Sequence, residues 1–290
     1  MDYLLKPIEA DRLAKTVARM QRDRLQGIAP EGMSSEARVH SRLEIRLFGP
    51  FFAGIDGGLC MKWRTAKEKE LLAYLANQED KRVHRDLIIE CLWPDESYQK
   101  AKVNLHTCIY LLRKNLKHIG FEGIVNYENG GYYLDPERVH VDVREFRKRM
   151  KELKRIHHPN LENIREMLSY RRGPFLQEDS YVWADQEAEA FENSTYEWKL
   201  VLAEMYLREL DFNKAVNTAE DVIESSPYDE EAYRILMRSY AELGKNNLVH
   251  AIYRRLEDEL EELHVRPSKQ SCSLYEEICG RREIEKRGLI

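Results

Sequence analysis

The chain has 290 residues, 43% hydrophobic and 33% charged, a composition that fits a globular protein of two ordinary domains and excludes a disordered one. No stretch reaches the roughly 20 consecutive apolar residues of a membrane helix, and the first residues interleave Lys6, Arg12, Lys15 and Arg19 with acids, so a cytoplasmic protein with no membrane partner and no signal peptide is expected. The formal charge of -5 excludes a protein that coats nucleic acid indiscriminately. It hides a partition: residues 42 to 138 hold fifteen Lys/Arg and fourteen Asp/Glu, whereas residues 139 to 290 hold twenty-four and thirty-one, so any polyanion site is local and lies in the earlier part.

In chain order, residues 1 to 26 read as a strand end, DYLL, a turn at Lys6-Pro7, and an amphipathic helix with Leu13, Val17 and Met20 on one face. Residues 27 to 41 are rich in Gly, Pro and Ser without periodicity and read as a linker. From residue 42 to 138 the pattern predicts a small α/β unit. LEIRLFG alternates apolar and polar residues, FFAG follows, and CMKW comes after the turn-forming IDGG as a further strand. Thr65 and Glu68 form a capping box ahead of Leu71, Leu72 and Leu75; HRDLIIECLW is a second short helix ended by Pro94; a third runs from near Tyr98 to Gly120. IVNY and GYYL then flank ENG, where Asn129-Gly130 signals a hairpin. Sheet, helix, helix, longer helix and hairpin is the order of a winged helix-turn-helix.

Residues 139 to 290 read as helical, punctuated by Pro159, Gly173-Pro174, Pro227 and Pro267. Tyr206 with Tyr240, Leu210 with Gly244 and Ala215 with Val249 recur at a separation of 34, the tetratricopeptide period, in which paired helices stack because neither buries its apolar face alone. The fold class expected is therefore mainly α with a small β component: a winged helix-turn-helix domain followed by an all-α, tetratricopeptide-like helical repeat.

The third helix carries the functional signal. At 3.6 residues per turn Ala101, Leu105, Cys108, Ile109, Leu112, Leu116 and Ile119 share one core-facing stripe. Lys100, Val103, His106, Thr107, Tyr110, Lys114 and Lys117 then project outward, with Asn104, Leu111 and Arg113 at the margins. Residues 98 to 118 hold five Lys/Arg and no acid, which a helix lying between phosphates requires, while Asn, Thr and His offer groups to base edges. A basic face is often merely solvated; the preceding helices, the following hairpin with Asn126 and Asn129, and the outward Val103 and Tyr110 favour DNA binding.

KVNLHTCIYLLRKNL and GGYYL resemble the recognition helix and wing of the OmpR-type winged-helix domain, although family members often carry arginine where Tyr110 and Leu111 stand. The later part, with VDVREF, RRGPFLQED before Trp183, SPYDEEAYRILMRSYAELGK and LHVRPSKQSCSLYEEI, resembles the bacterial transcriptional activation domain of the antibiotic-regulatory (SARP) regulators. DYLLKPIEADRL is similar to the end of a response-regulator receiver domain. That resemblance maps the phosphoryl-contacting lysine to Lys6, the switch aromatic to Tyr3 and the usually cis proline to Pro7, whereas the phospho-acceptor aspartate belongs to a region this chain does not contain. Phosphorylation switching is accordingly not expected of the chain as given.

The resemblances imply a sequence-specific regulator, an activator in a signalling pathway, with double-stranded promoter DNA and RNA polymerase as partners, bound as a homodimer or in tandem because one winged domain reads few base pairs. No cofactor is expected. Enzyme motifs are missing, and His157-His158-Pro159 reads as a surface loop rather than half a metal site. Cys60, Cys91, Cys108, Cys272 and Cys279 read as buried thiols. The alternative is a helical-repeat scaffold without specific DNA binding, in which Trp183, Trp198, Tyr206 and Tyr233 line a groove; core packing is the plainer role for those rings.

Overall fold

In the computed structural model, residues 42–286 are described except Gly57, Asp80, His157 and His158. The receiver-like segment with Tyr3, Lys6 and Pro7, the linker and the His157-His158 pair lie outside the described residues. Strands β1 (Leu43–Arg46) and β2 (Phe52–Gly54) form an antiparallel pair. Helix α1 (Ala66–Asn77), strand β3 (Val83–His84), helix α2 (Arg85–Leu92) and helix α3 (Tyr98–His118) follow. Strands β4 (Val125–Glu128) and β5 (Gly131–Leu134) make the hairpin, and β3 adds to its β5 side, giving the order β3-β5-β4. Asn129 and Gly130 take φ of 49° and 81°, the two positive values that a tight two-residue hairpin turn demands.

The capping box is present in altered form. Thr65 accepts from the Glu68 N–H at 3.1 Å, but the Glu68 carboxylate reaches back to the N–H of Arg64 instead of Thr65. CMKW forms no strand; only Cys60 bridges to Gly54, and residues 61 to 63 run irregularly. The expectation of buried thiols is also corrected: Cys60 is exposed, Cys91, Cys272 and Cys279 are half-buried, and only Cys108 is buried, where burial pushes its thiol up to about 11.

A strand that no pattern announced joins the two parts of the chain. Strand β6 (Val139–Val141) pairs in parallel with β1, making the order β2-β1-β6. Immediately after it, Asp142 begins helix α4 (Asp142–Leu153), and its carboxylate accepts from the N–H groups of Leu47 and Phe48, each at 2.9 Å, and of Val143 at 2.7 Å. Burial pushes this carboxyl up to about 6 against the pull of the three donors. Around it the ring of Phe48 packs edge-on against Phe146 and Phe191, at centroid distances of 5.4 and 5.0 Å. The segment GPF extends the same seam: Gly49 donates to the Pro174 carbonyl, Leu176 to that of Leu47, and a Cβ on Gly173 would lie 3.0 Å from the Gly49 Cα. Here glycine permits the backbones to touch.

Helices α5 (Leu161–Ser169), α6 (Asp185–Arg208), α7 (Phe212–Ser225), α8 (Glu230–Glu242), α9 (Asn246–Glu262) and α10 (Lys269–Lys286) complete the fold. The 34-residue repeat has a structural counterpart. Leu210 and Gly244 both sit at positive φ, 61° and 68°, in matching turns where Asp211 donates to Tyr206 and Lys245 to Tyr240. Ala215 and Val249 are fully buried in the first turns of α7 and α9. Tyr206 and Tyr233 are core residues, and Trp183 and Trp198 pack against the core instead of lining an open groove.

Two outcomes follow from the seam. Asp142→Ala should lower stability by roughly 3 kcal/mol, since each buried donor left without an acceptor costs about 1–3 kcal/mol and removal of the buried carboxylate offsets part of that; urea unfolding should show a lower midpoint at unchanged slope. His140 on β6 lies 2.7 Å from the Glu44 carboxylate on β1, which raises its pKa above the usual 6.5 despite burial. Its stabilising contribution is complete below the unfolded value and is lost as pH rises through the raised folded one. His140→Gln should therefore flatten the decline of unfolding free energy above pH 6.5; an unchanged pH profile would contradict the coupling.

Candidate nucleic-acid interface

Helix α3 is fixed on its inner face. Ala101, Leu105 and Leu112 are fully buried and Cys108, Ile109 and Leu116 nearly so, against α1 and α2. Asn115 adds a polar lock, donating to the Lys62 carbonyl at 2.7 Å and to the buried Glu68 carboxylate at 3.1 Å. The same Glu68 thus ties the start of α1 to the end of α3.

The outer face is open. Val103 is 64% and Tyr110 63% exposed, and Lys100, His106, Thr107, Lys114 and Lys117 are exposed. Among the described residues His106, Tyr110 and Lys114 make no hydrogen bond or ion pair, and the half-buried Lys102 is likewise uncommitted. The remaining residues expected to meet DNA already have partners. Lys100 lies 3.3 Å from Glu96, Asn104 donates to Glu96 at 2.6 Å, Lys117 pairs with Glu122 at 2.7 Å, and Thr107 donates to the Val103 carbonyl at 3.0 Å. Leu111 is half-buried at the margin.

Arg113, at the margin of the helix as its sequence position suggests, is engaged by the wing. Its Nε and Nη2 both donate to the Val125 carbonyl, at 3.1 and 2.9 Å, so it fastens the first wing strand to α3. In the wing Asn126 turns back to the Ile124 carbonyl at 3.4 Å, and Asn129 stands exposed at the turn. Tyr127 packs on Tyr132 with centroids 4.7 Å apart. Arg113 therefore ties the wing to α3. Arg113→Ala should loosen it, seen as faster amide hydrogen exchange confined to residues 124 to 134 with α3 still protected; unchanged exchange there would rule out the tether.

The family comparisons agree with this geometry. Residues 62–134 match the model described as "Transcriptional regulatory protein, C terminal", and residues 141–279 match the "Bacterial transcriptional activator domain". No curated protein matches the chain. Among solved structures, Mycobacterium tuberculosis EmbR in complex with low affinity phosphopeptide is similar in fold, with a TM-score of 0.68 and 23% identity; the match covers 83% of this chain and 65% of that one. In domain content and order, a winged-helix transcriptional regulatory domain followed by a bacterial transcriptional activator domain, the chain resembles the SARP-type transcriptional regulators.

Proposed function

We propose that the chain activates transcription by laying helix α3 in the major groove of promoter DNA while the repeat half faces RNA polymerase. The observation that carries this is the contrast between the two sides of α3: one is buried in the core, whereas the other presents Val103, His106, Tyr110 and Lys114 to solvent with no carboxylate on the helix itself. Each group has a use in a groove. The Val103 methyls suit a thymine methyl, His106 and Thr107 suit base edges, and Lys102 and Lys114 suit phosphates. Lys117 reaches DNA by exchanging the exposed Glu122, and Lys100 and Asn104 by leaving the half-buried Glu96.

The excess of acids after residue 139 keeps the repeat half off the polyanion and leaves it for protein contacts. One helix and one wing read few base pairs, so the operator is bound by a homodimer or by copies in tandem. A protein that binds promoters in this way works in the cytoplasm. Among the described residues no helix is long and apolar enough to cross a membrane.

Lys114→Glu should reduce affinity for a selected operator and lower the slope of log K against log salt by about 0.9 for each phosphate that the helix no longer neutralises. His106→Ala should instead relax base preference at one position by about 1–3 kcal/mol. An interaction scaffold would show neither effect, and an unchanged salt slope for Lys114→Glu would overturn the groove-binding reading.

A further inference from the structure

The wing lacks the charge that its task requires. From Val125 to Leu134 the hairpin contains no Lys or Arg, and its only charged side chain is the carboxylate of Glu128 beside the turn. A hairpin with that charge alone would be repelled by a phosphate backbone.

The missing cations stand on the neighbouring strand. Residues 81 to 85 read KRVHR, and β3 within them pairs with β5, Val83 opposite Tyr132 and His84 opposite Gly131. The approach is close. The Arg85 N–H donates to the Gly130 carbonyl at 3.0 Å, and a Cβ on Gly131 would lie 2.9 Å from the Val83 carbonyl oxygen. Any side chain there would push the turn off the strand. Val83 faces the core, so the alternation of a strand puts Arg82 and His84 together on the outer face.

Arg82 reaches across this junction to Glu128, with Nη2 2.7 Å from the carboxylate, and lies 5.7 Å from the centre of the Tyr133 ring. Both members of the pair are about half exposed, 48% and 49%, and an ion pair so open to water contributes little stability. It exchanges readily for a stronger anion. Lys81 is exposed beside it with no ion pair among the described residues, whereas Arg85 is held by Asp86 and Tyr98.

We infer that β3 supplies the wing's contact with the DNA backbone. Arg82, assisted by Lys81, binds a phosphate flanking the groove that α3 occupies, and Glu128 holds the guanidinium in place until the phosphate displaces it. The inference rests on the groove-binding reading of α3 and adds a phosphate site to it.

Two substitutions of opposite expected sign test it, measured by operator binding of the full chain across a salt series. Arg82→Met should weaken binding about fivefold to tenfold and lower the salt slope by about 0.9. Glu128→Gln should tighten binding about twofold to threefold by freeing the guanidinium and removing a repulsive charge. A slope unchanged by Arg82→Met overturns the phosphate contact, as does weaker binding by Glu128→Gln, the result of a pair that merely braces the wing. Lys114→Glu in the same series separates the two readings. If it lowers the slope while Arg82→Met does not, this inference alone fails; if neither does, both fail.

Discussion

Two guanidinium groups from α4 close the C-terminal end of α1, the helix against which α3 packs. The last turn of α1 contains no basic residue of its own, so its unpaired carbonyls carry the negative end of the helix dipole uncompensated. Arg144 donates to the carbonyls of Ala76 and Leu75, at 2.9 and 3.1 Å, and Arg147 to that of Asn77 at 2.7 Å. The opposite end of α1 is held by Glu68 and Asn115, which belong to the lock on α3. Helix α1 therefore lies between the repeat half and α3 with both ends fixed by charged or amide side chains.

The seam at Asp142 and the caps at Arg144 and Arg147 lie within six residues of one another, at the start of the matched activator domain. From Leu43 onward the chain is one compact unit. The core of the winged domain continues into the repeat half through Phe48, Phe146 and Phe191, so the two halves are joined by packed rings and hydrogen bonds rather than by a linker. The open outer face of α3 follows from the same arrangement, because the repeat half packs behind α1 and leaves Val103 and Tyr110 uncovered.

Much of this was legible in the sequence wherever a local physical rule applied. The stripe from Ala101 to Leu116 repeats at helical period, Thr65 is a capping residue, Asn129-Gly130 permits two positive φ values, and Leu210 and Gly244 mark equivalent turns. What stayed hidden is nonlocal. Strands β3 and β6 span two and three residues, too few for any alternation to register, and β6 pairs with a strand about 95 residues earlier. Arg113 looks like a DNA-contacting residue by spacing; only the position of the Val125 carbonyl reveals its tether. Arg82 belongs with these: the wing's lack of a cation is visible in its own sequence, but KRVHR lies about 40 residues earlier, and the reach of Arg82 to Glu128 depends on β3 joining the wing sheet.

A helix that reads bases in the major groove through its outer face, as proposed for α3, covers atoms on the groove edge of its site. Selection of binding sites from random duplexes with the full chain, followed by methylation interference at guanine N7, tests it most directly, because N7 lies in the major groove and is blocked by a helix seated there. The expected result is enrichment of a defined motif in which N7 methylation at one or two guanines abolishes binding. Failure to enrich any motif, or interference confined to phosphates and the minor groove, would contradict it.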